Sequence, residues 1–163
     1  MTGPESRAIF FPMIPDRVRR ILDANGLSAL EFEEGSTPTA ETAAARIGVE
    51  VGQIAKSLLF RGASGKAVLV VCAGDRKVSS GKLKRLCGEK MSMTDADETF
   101  ALTGFRPGGV CPFGVEGLQI YLDDSLKAWD RIFPAAGNNA TGVPTTYTQL
   151  LAITGALACE VMT

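Results

Sequence analysis

The chain has 163 residues, of which 45% are hydrophobic and 21% charged, with a net charge of −1 and no histidine. That length suits one globular domain with a proper core, residues 1–163, and leaves no basic excess to hold a long stretch of DNA or RNA by its phosphates. Without histidine, Ser-His-Asp, Cys-His and HExxH mechanisms and the usual zinc spacings cannot be assembled.

In chain order, "PDRVRRILDANG" predicts a first helix, with Pro15 and Asp16 at its start, Val18, Ile21 and Leu22 on one face and Gly26 as the stop. "TAETAAARIG" predicts a second, capped by Thr39 and ended by Gly48. "AKSLLFRGASGKAVLVVCAG" reads as a hairpin turning at Ala63-Ser64-Gly65, its second strand, Ala67 to Ala73, buried on both faces. "SSGKLKRLCG" predicts a short helix capped by Ser79 or Ser80, with Leu83 and Leu86 inward and a solvated basic face of Lys82, Lys84 and Arg85. A short strand at "EKMSM" precedes a helix from about Asp95 to Leu102 that Gly104 ends. Further strands fit "LQIYLDD" and "DRIFPAA", and "TTYTQLLAITG" predicts a late helix with Thr146 and Gln149 as a capping box. The order αβαββαβαβββαβ implies a mixed, largely antiparallel sheet flanked by helices, without Rossmann alternation.

The cysteines Cys72, Cys87, Cys111 and Cys159 form no CxxC pair and read as reduced thiols of a cytoplasmic protein. The apolar "AIFFPMI" near the start has no basic region before it, and no apolar run nears the roughly 20 residues that span a bilayer, so neither export nor membrane insertion is expected. Asn139-Ala140-Thr141 then matches a glycosylation acceptor by chance.

Two stretches can carry chemistry. In "QIAKSLLF" a lysine, Lys56, enters a strand core. Desolvating an unpaired ammonium is costly, so Lys56 must pair with a carboxylate, snorkel to solvent or face an anionic ligand. In "TGFRPGGVCPFG", four glycines and two prolines fall within twelve residues. Such a loop is either a rigid turn or a cradle of main-chain N–H groups for a carbonyl or phosphate oxygen. It is not a Walker A loop, since GxxxxGK[ST] occurs nowhere. Cys111 inside it has no evident base to make it a nucleophile, and the default for Asp123 and Asp124 is a turn or cap.

Together "TAETAAARIGVEVGQIAKSLLFR", "KAVLVVCAGDRKV", "KLKRLCGEKMSMTDADE", "TGFRPGGVCPFG" and "LLAITGA" resemble the YbaK and prolyl-tRNA synthetase insertion-domain editing family, over roughly Val18 to Ala156. The most specific elements are Lys56 and the GxxxP loop, Gly108 to Pro112. The resemblance implies an α/β domain with a barrel-like sheet that needs no cofactor or metal. It also implies a trans-acting deacylase for a small amino acid (alanine, cysteine, serine or 2-aminobutyrate) mischarged on tRNA, with tRNA(Pro) first among candidates. Lys56 matches the lysine that contacts the substrate's 3′ end, with Gly108 and Gly109 as its catalytic partners. Val110, Cys111 and Pro112 complete the loop that holds the aminoacyl group. Pro134 to Asn139, with Ala135, Ala136 and Gly137, match a segment that shapes the pocket. Some relatives carry serine or histidine near Ala135, and this chain has neither.

An aminoacyl ester is already activated, so positioned water, the ribose 2′-hydroxyl or the substrate's own side chain can replace a protein base. The implied partners are the acceptor end of an aminoacyl-tRNA, reached with help from Arg17, Arg19, Arg20 or the "KLKR" face, and an aminoacyl-tRNA synthetase. The competing expectations are a non-catalytic module that binds a tRNA 3′ end, a nucleotide or a synthetase, and a plain interaction domain.

Overall fold

The computed structural model describes residues 11–163. The first three residues of "AIFFPMI", Ala8 to Phe10, lie outside that range, whereas Ile14 is buried in the core. Helix α1 (Asp16–Ala24) follows Pro15 and buries Val18 and Leu22. A two-residue strand β1 (Leu30–Glu31) leads to α2 (Ala40–Ile47). Thr39 caps α2 by accepting from the Thr42 N–H, and Gly48 ends it in a left-handed conformation with φ 88°. A 3-10 turn, Val51–Gln53, delivers the chain to the hairpin of β2 (Ala55–Gly62) and β3 (Ala67–Ala73). Then come α3 (Ser80–Cys87), β4 (Met91–Met93), α4 (Ala96–Thr103) and β5 (Gln119–Asp123). The 3-10 helix Asp124–Ala128, β6 (Thr141–Gly142), α5 (Tyr147–Thr154) and β7 (Leu157–Cys159) complete the described chain.

The strands form an open five-stranded sheet in the order β4-β2-β3-β5-β7 and a separate pair, β1-β6. The sheet is mixed: β2 is antiparallel to β3 and β4, while β5 runs parallel to β3 and β7. It does not close, which corrects the barrel-like expectation: both outer strands, β4 and β7, are only three residues long and do not meet.

β3 is buried on both faces because two clusters sandwich it. Leu69, Val71 and Ala73 pack with α1, α5 and the glycine-rich loop, and Val68, Val70 and Cys72 pack with Leu83, Cys87, Met91 and Tyr121. Alternation along a strand sends successive side chains to opposite faces, so an unbroken apolar run serves both layers.

Four local expectations change. "DRIFPAA" forms no strand but two isolated bridges, Ile54 with Phe133 and Ile132 with Thr145, so one strand of the expected order is missing. In α3, Leu86 is 38% exposed and Cys87 takes the inward place one turn after Leu83, as i and i+4 spacing requires. Lys82 on the same helix is half-buried and donates to the Met162 carbonyl at 2.8 Å, so that part of the basic face is occupied. The α5 box is half made: Thr146 accepts from the Gln149 N–H, but the Gln149 side chain accepts from Thr145 Oγ1.

Candidate functional site

A cavity of about 290 Å³ opens beside the outer edge of β2. Its floor is Ala55 to Leu59, and its walls are Thr37 to Ala40 before and within α2, Met93 to Ala96 between β4 and α4, and Pro107, Gly108, Val110 and Ala135. Met93 stands at the rim, 61% exposed. Capping explains much of the wall. Thr39 and Asp95 each turn the chain into a helix at this point, and Asp95 accepts from the Glu98 N–H at 2.8 Å.

Lys56 is half-buried, and its Nζ donates to the carbonyls of Arg76 at 2.6 Å and Gly74 at 3.4 Å. Among the described residues no carboxylate lies within ion-pair distance of it. An ammonium has three donors, so among the described residues two steer it toward carbonyl dipoles and one is left for another acceptor. The anchor is a fate not among the three expected of a strand lysine: main-chain carbonyls hold Lys56 while it lines a cavity.

The structure brings Lys56, Gly108, Val110 and Ala135 to one cavity and sets the other expected site residues apart. Gly109 is buried, and its N–H is spent on the Arg106 carbonyl at 2.9 Å. A Cβ there would lie 2.7 Å from Asn138 Cα, so this glycine serves the contact between two loops. Gly109 and Gly137 line a separate small cavity with Arg106 and Asn138. Cys111, Pro112 and Ala136 are buried and do not line the main cavity. Burial pushes the Cys111 thiol up to about 12, against its weak bond to the Phe113 carbonyl, which removes it as a nucleophile. Gly108, with φ 89°, is held in the left-handed region, and a Cβ on it would lie 3.2 Å from the Pro38 carbonyl oxygen.

Asp123 behaves as the expected cap: almost fully buried, it accepts from the N–H groups of Ser125 and Val161, both at 2.8 Å. Sequence reasoning missed the Thr37–Ala40 wall, Ser57 and the Met93–Ala96 turn. The signals present were helix caps, and a cap shows where a helix starts without showing what it faces. Among the described residues no group of three or more cysteine, aspartate or glutamate side chains could hold a metal ion.

Residues 34–153 match the family model of the aminoacyl-tRNA editing domain. The uncharacterized protein YwhH of Bacillus subtilis (strain 168) is 42% identical over 121 residues, covering 74% of this chain and 76% of that protein. The proline–tRNA ligase of Bacillus licheniformis is 36% identical over 68% of this chain, which spans 20% of the ligase. A crystal structure described as "a putative trans-editing enzyme for prolyl tRNA synthetase" superposes with a TM-score of 0.81 at 37% identity, covering 91% of this chain and 96% of that one. The chain belongs to the aminoacyl-tRNA editing domain family and is a hydrolase of the aminoacyl-tRNA ester bond. Among the described residues no helix is long and apolar enough to cross a membrane.

Proposed function

We propose that the chain acts in trans on a small amino acid wrongly esterified to tRNA(Pro), with the 3′ terminal residue of the tRNA entering the cavity beside β2. The observation that carries this reading is Lys56, a cation with no carboxylate partner among the described residues, facing the same cavity as Gly108. The cavity volume, about 290 Å³, suits a small acyl group and part of a ribose. Support for the adaptor comes from relatives: the ligase noted above is named for proline, and a protein of Enterococcus faecalis named "Putative Cys-tRNA(Pro)/Cys-tRNA(Cys) deacylase EbsC" is 27% identical over 77% of this chain.

In this reading the free donor of Lys56 holds the polar 3′ end and fixes where the ester lies. Water attacks the ester carbonyl carbon, the carbonyl oxygen takes up negative charge, and the bond to the ribose oxygen then breaks as that oxygen gains a proton. With no histidine in the chain and the Cys111 thiol held protonated, the proton passes through water or the ribose 2′-hydroxyl. Main-chain donors at the cavity wall stabilise the oxyanion, a contribution on the order of 3 kcal/mol for each well-placed donor.

The test is a panel of tRNAs charged with alanine, cysteine, serine or proline, incubated with wild type and Lys56→Ala. Wild type should release the small non-cognate acids, and Lys56→Ala should be slower by about 100-fold. Equal rates would remove Lys56 from the reaction, and binding without release by wild type would overturn the trans-editing reading.

A further inference from the structure

The sheet edge that floors the cavity lacks one rung. At one end of the gap, Thr94 N–H donates to the Leu59 carbonyl at 3.1 Å, continuing the pairing of β2 with β4. At the other end, Ala55 N–H donates to the Phe133 carbonyl at 3.2 Å. Main-chain groups along a strand point alternately to its two sides, so Ala55, Ser57 and Leu59 all direct N–H and C=O away from β3. The opposite strand agrees: Ala73, which faces Ala55, gives its N–H to Ser125 Oγ at 3.1 Å on the side away from β2.

Neither flanking segment reaches Ser57. The β2 and β4 register, carried on, would set Ala96 opposite Ser57, but Asp95 caps α4 there and the chain turns into a helix. The parallel run at Phe133 diverges one residue later, where the Pro134 carbonyl accepts from Val143 N–H at 2.8 Å. Among the described residues the Ser57 main chain is therefore without a partner on that side, and Ser57 Oγ is buried without one as well. Ala96, Ala135 and Ser57 all line the cavity.

We propose that this missing rung is the seat of the aminoacyl group, bound as a strand one residue long. An esterified amino acid carries an α-ammonium donor and a carbonyl acceptor on one carbon, the pair that a strand residue presents to its neighbour. The ammonium donates to the Ser57 carbonyl while the ester carbonyl accepts from the Ser57 N–H, which places one oxyanion donor on β2 rather than in the glycine-rich loop. The proposal rests on the deacylase reading above and specifies which main-chain groups of that site read the α-amino group and the ester carbonyl.

Proline can occupy an edge strand where its missing N–H is not part of the ladder. Ser57→Pro should therefore fold, as circular dichroism and thermal melting would report, yet lose at least tenfold in kcat/KM on aminoacyl-tRNA. Leu58→Pro removes an N–H that faces β3 and should unfold. A propionyl ester in place of alanyl, lacking only the α-amino group, should be accelerated by wild type at least tenfold less, each ester being compared with its own uncatalysed hydrolysis. Independently of turnover, the amide signal of Ser57 in a ¹⁵N spectrum of wild type should shift when adenosine carrying alanine in 3′-amide linkage is added, and shift less with free alaninamide. Folded Ser57→Pro with unchanged kcat/KM, or a Ser57 amide that stays still while the Gly108 signal moves, would overturn the proposal. Should Ser57→Pro not fold, the amide spectrum decides. Wild type that cleaves no ester but shows the Ser57 shift would instead count against the deacylase reading alone.

Discussion

Lys56 shows how far a single residue can be read from its neighbours. A lysine in an apolar strand announces a constraint, because an ammonium cannot be buried without acceptors. Which acceptors it finds depends on a turn about twenty residues away, Gly74 to Arg76, and no local pattern encodes that meeting. Cys111 is the converse case. From the sequence only the missing base argued against a nucleophilic role, whereas in the fold the loop turns inward and the thiol is fully buried. Cys111→Ala should keep turnover within about twofold of wild type and lower stability by roughly 1 kcal/mol for the lost packing. Native protein should leave this thiol unreactive toward a disulfide reagent until denaturant is added. Reaction of Cys111 in native protein would contradict its burial.

At the scale of elements, helices and the central hairpin were legible because caps and periodicity are local. Thr39, Ser79, Asp95 and Thr146 each accept from the N–H three residues on. Replacing Thr146 by alanine should cost about 1 kcal/mol in urea unfolding, whereas Gln149→Ala, whose side chain bonds Thr145 instead, should cost less. What was illegible was pairing between distant segments. "DRIFPAA" has a strand's composition, but Pro134 has no N–H to give, and the run divides its bonds between β2 and the segment before α5. The cavity shares that cause: three segments far apart in sequence stop short of one another beside β2. Gly109 marks a close approach of two of them. Gly109→Ala would force a Cβ against Asn138 and should destabilise by about 1–3 kcal/mol, read as a lower denaturant midpoint, with activity falling as the loops separate.

For the whole molecule, the buried cysteines set an alkaline limit. Desolvation pushes the thiols of Cys72, Cys111 and Cys159 up to about 12 from an ordinary value of 9.0, with the nearby Asp123 carboxylate adding to the rise at Cys72 and Cys159. Protons are held more tightly folded than unfolded, so this part of the stability is fully present below pH 9.0 and is lost progressively as pH rises toward 12. Urea midpoints should be level between neutrality and pH 8.5 and fall steeply above 9.0, and less steeply in a Cys72→Ala, Cys159→Ala double variant. A midpoint independent of pH in that window would contradict the burial of these groups.

The turn that steadies Lys56 is itself stitched to the far end of the described chain. Thr163 N–H donates to the Lys77 carbonyl, Arg76 donates to Thr163, and Ser79 N–H donates to the Val161 carbonyl at 2.7 Å. Residues 160–163 thus work as a guy rope: clipping them leaves every wall of the cavity in the polypeptide but slackens the post to which its one strand cation is tied.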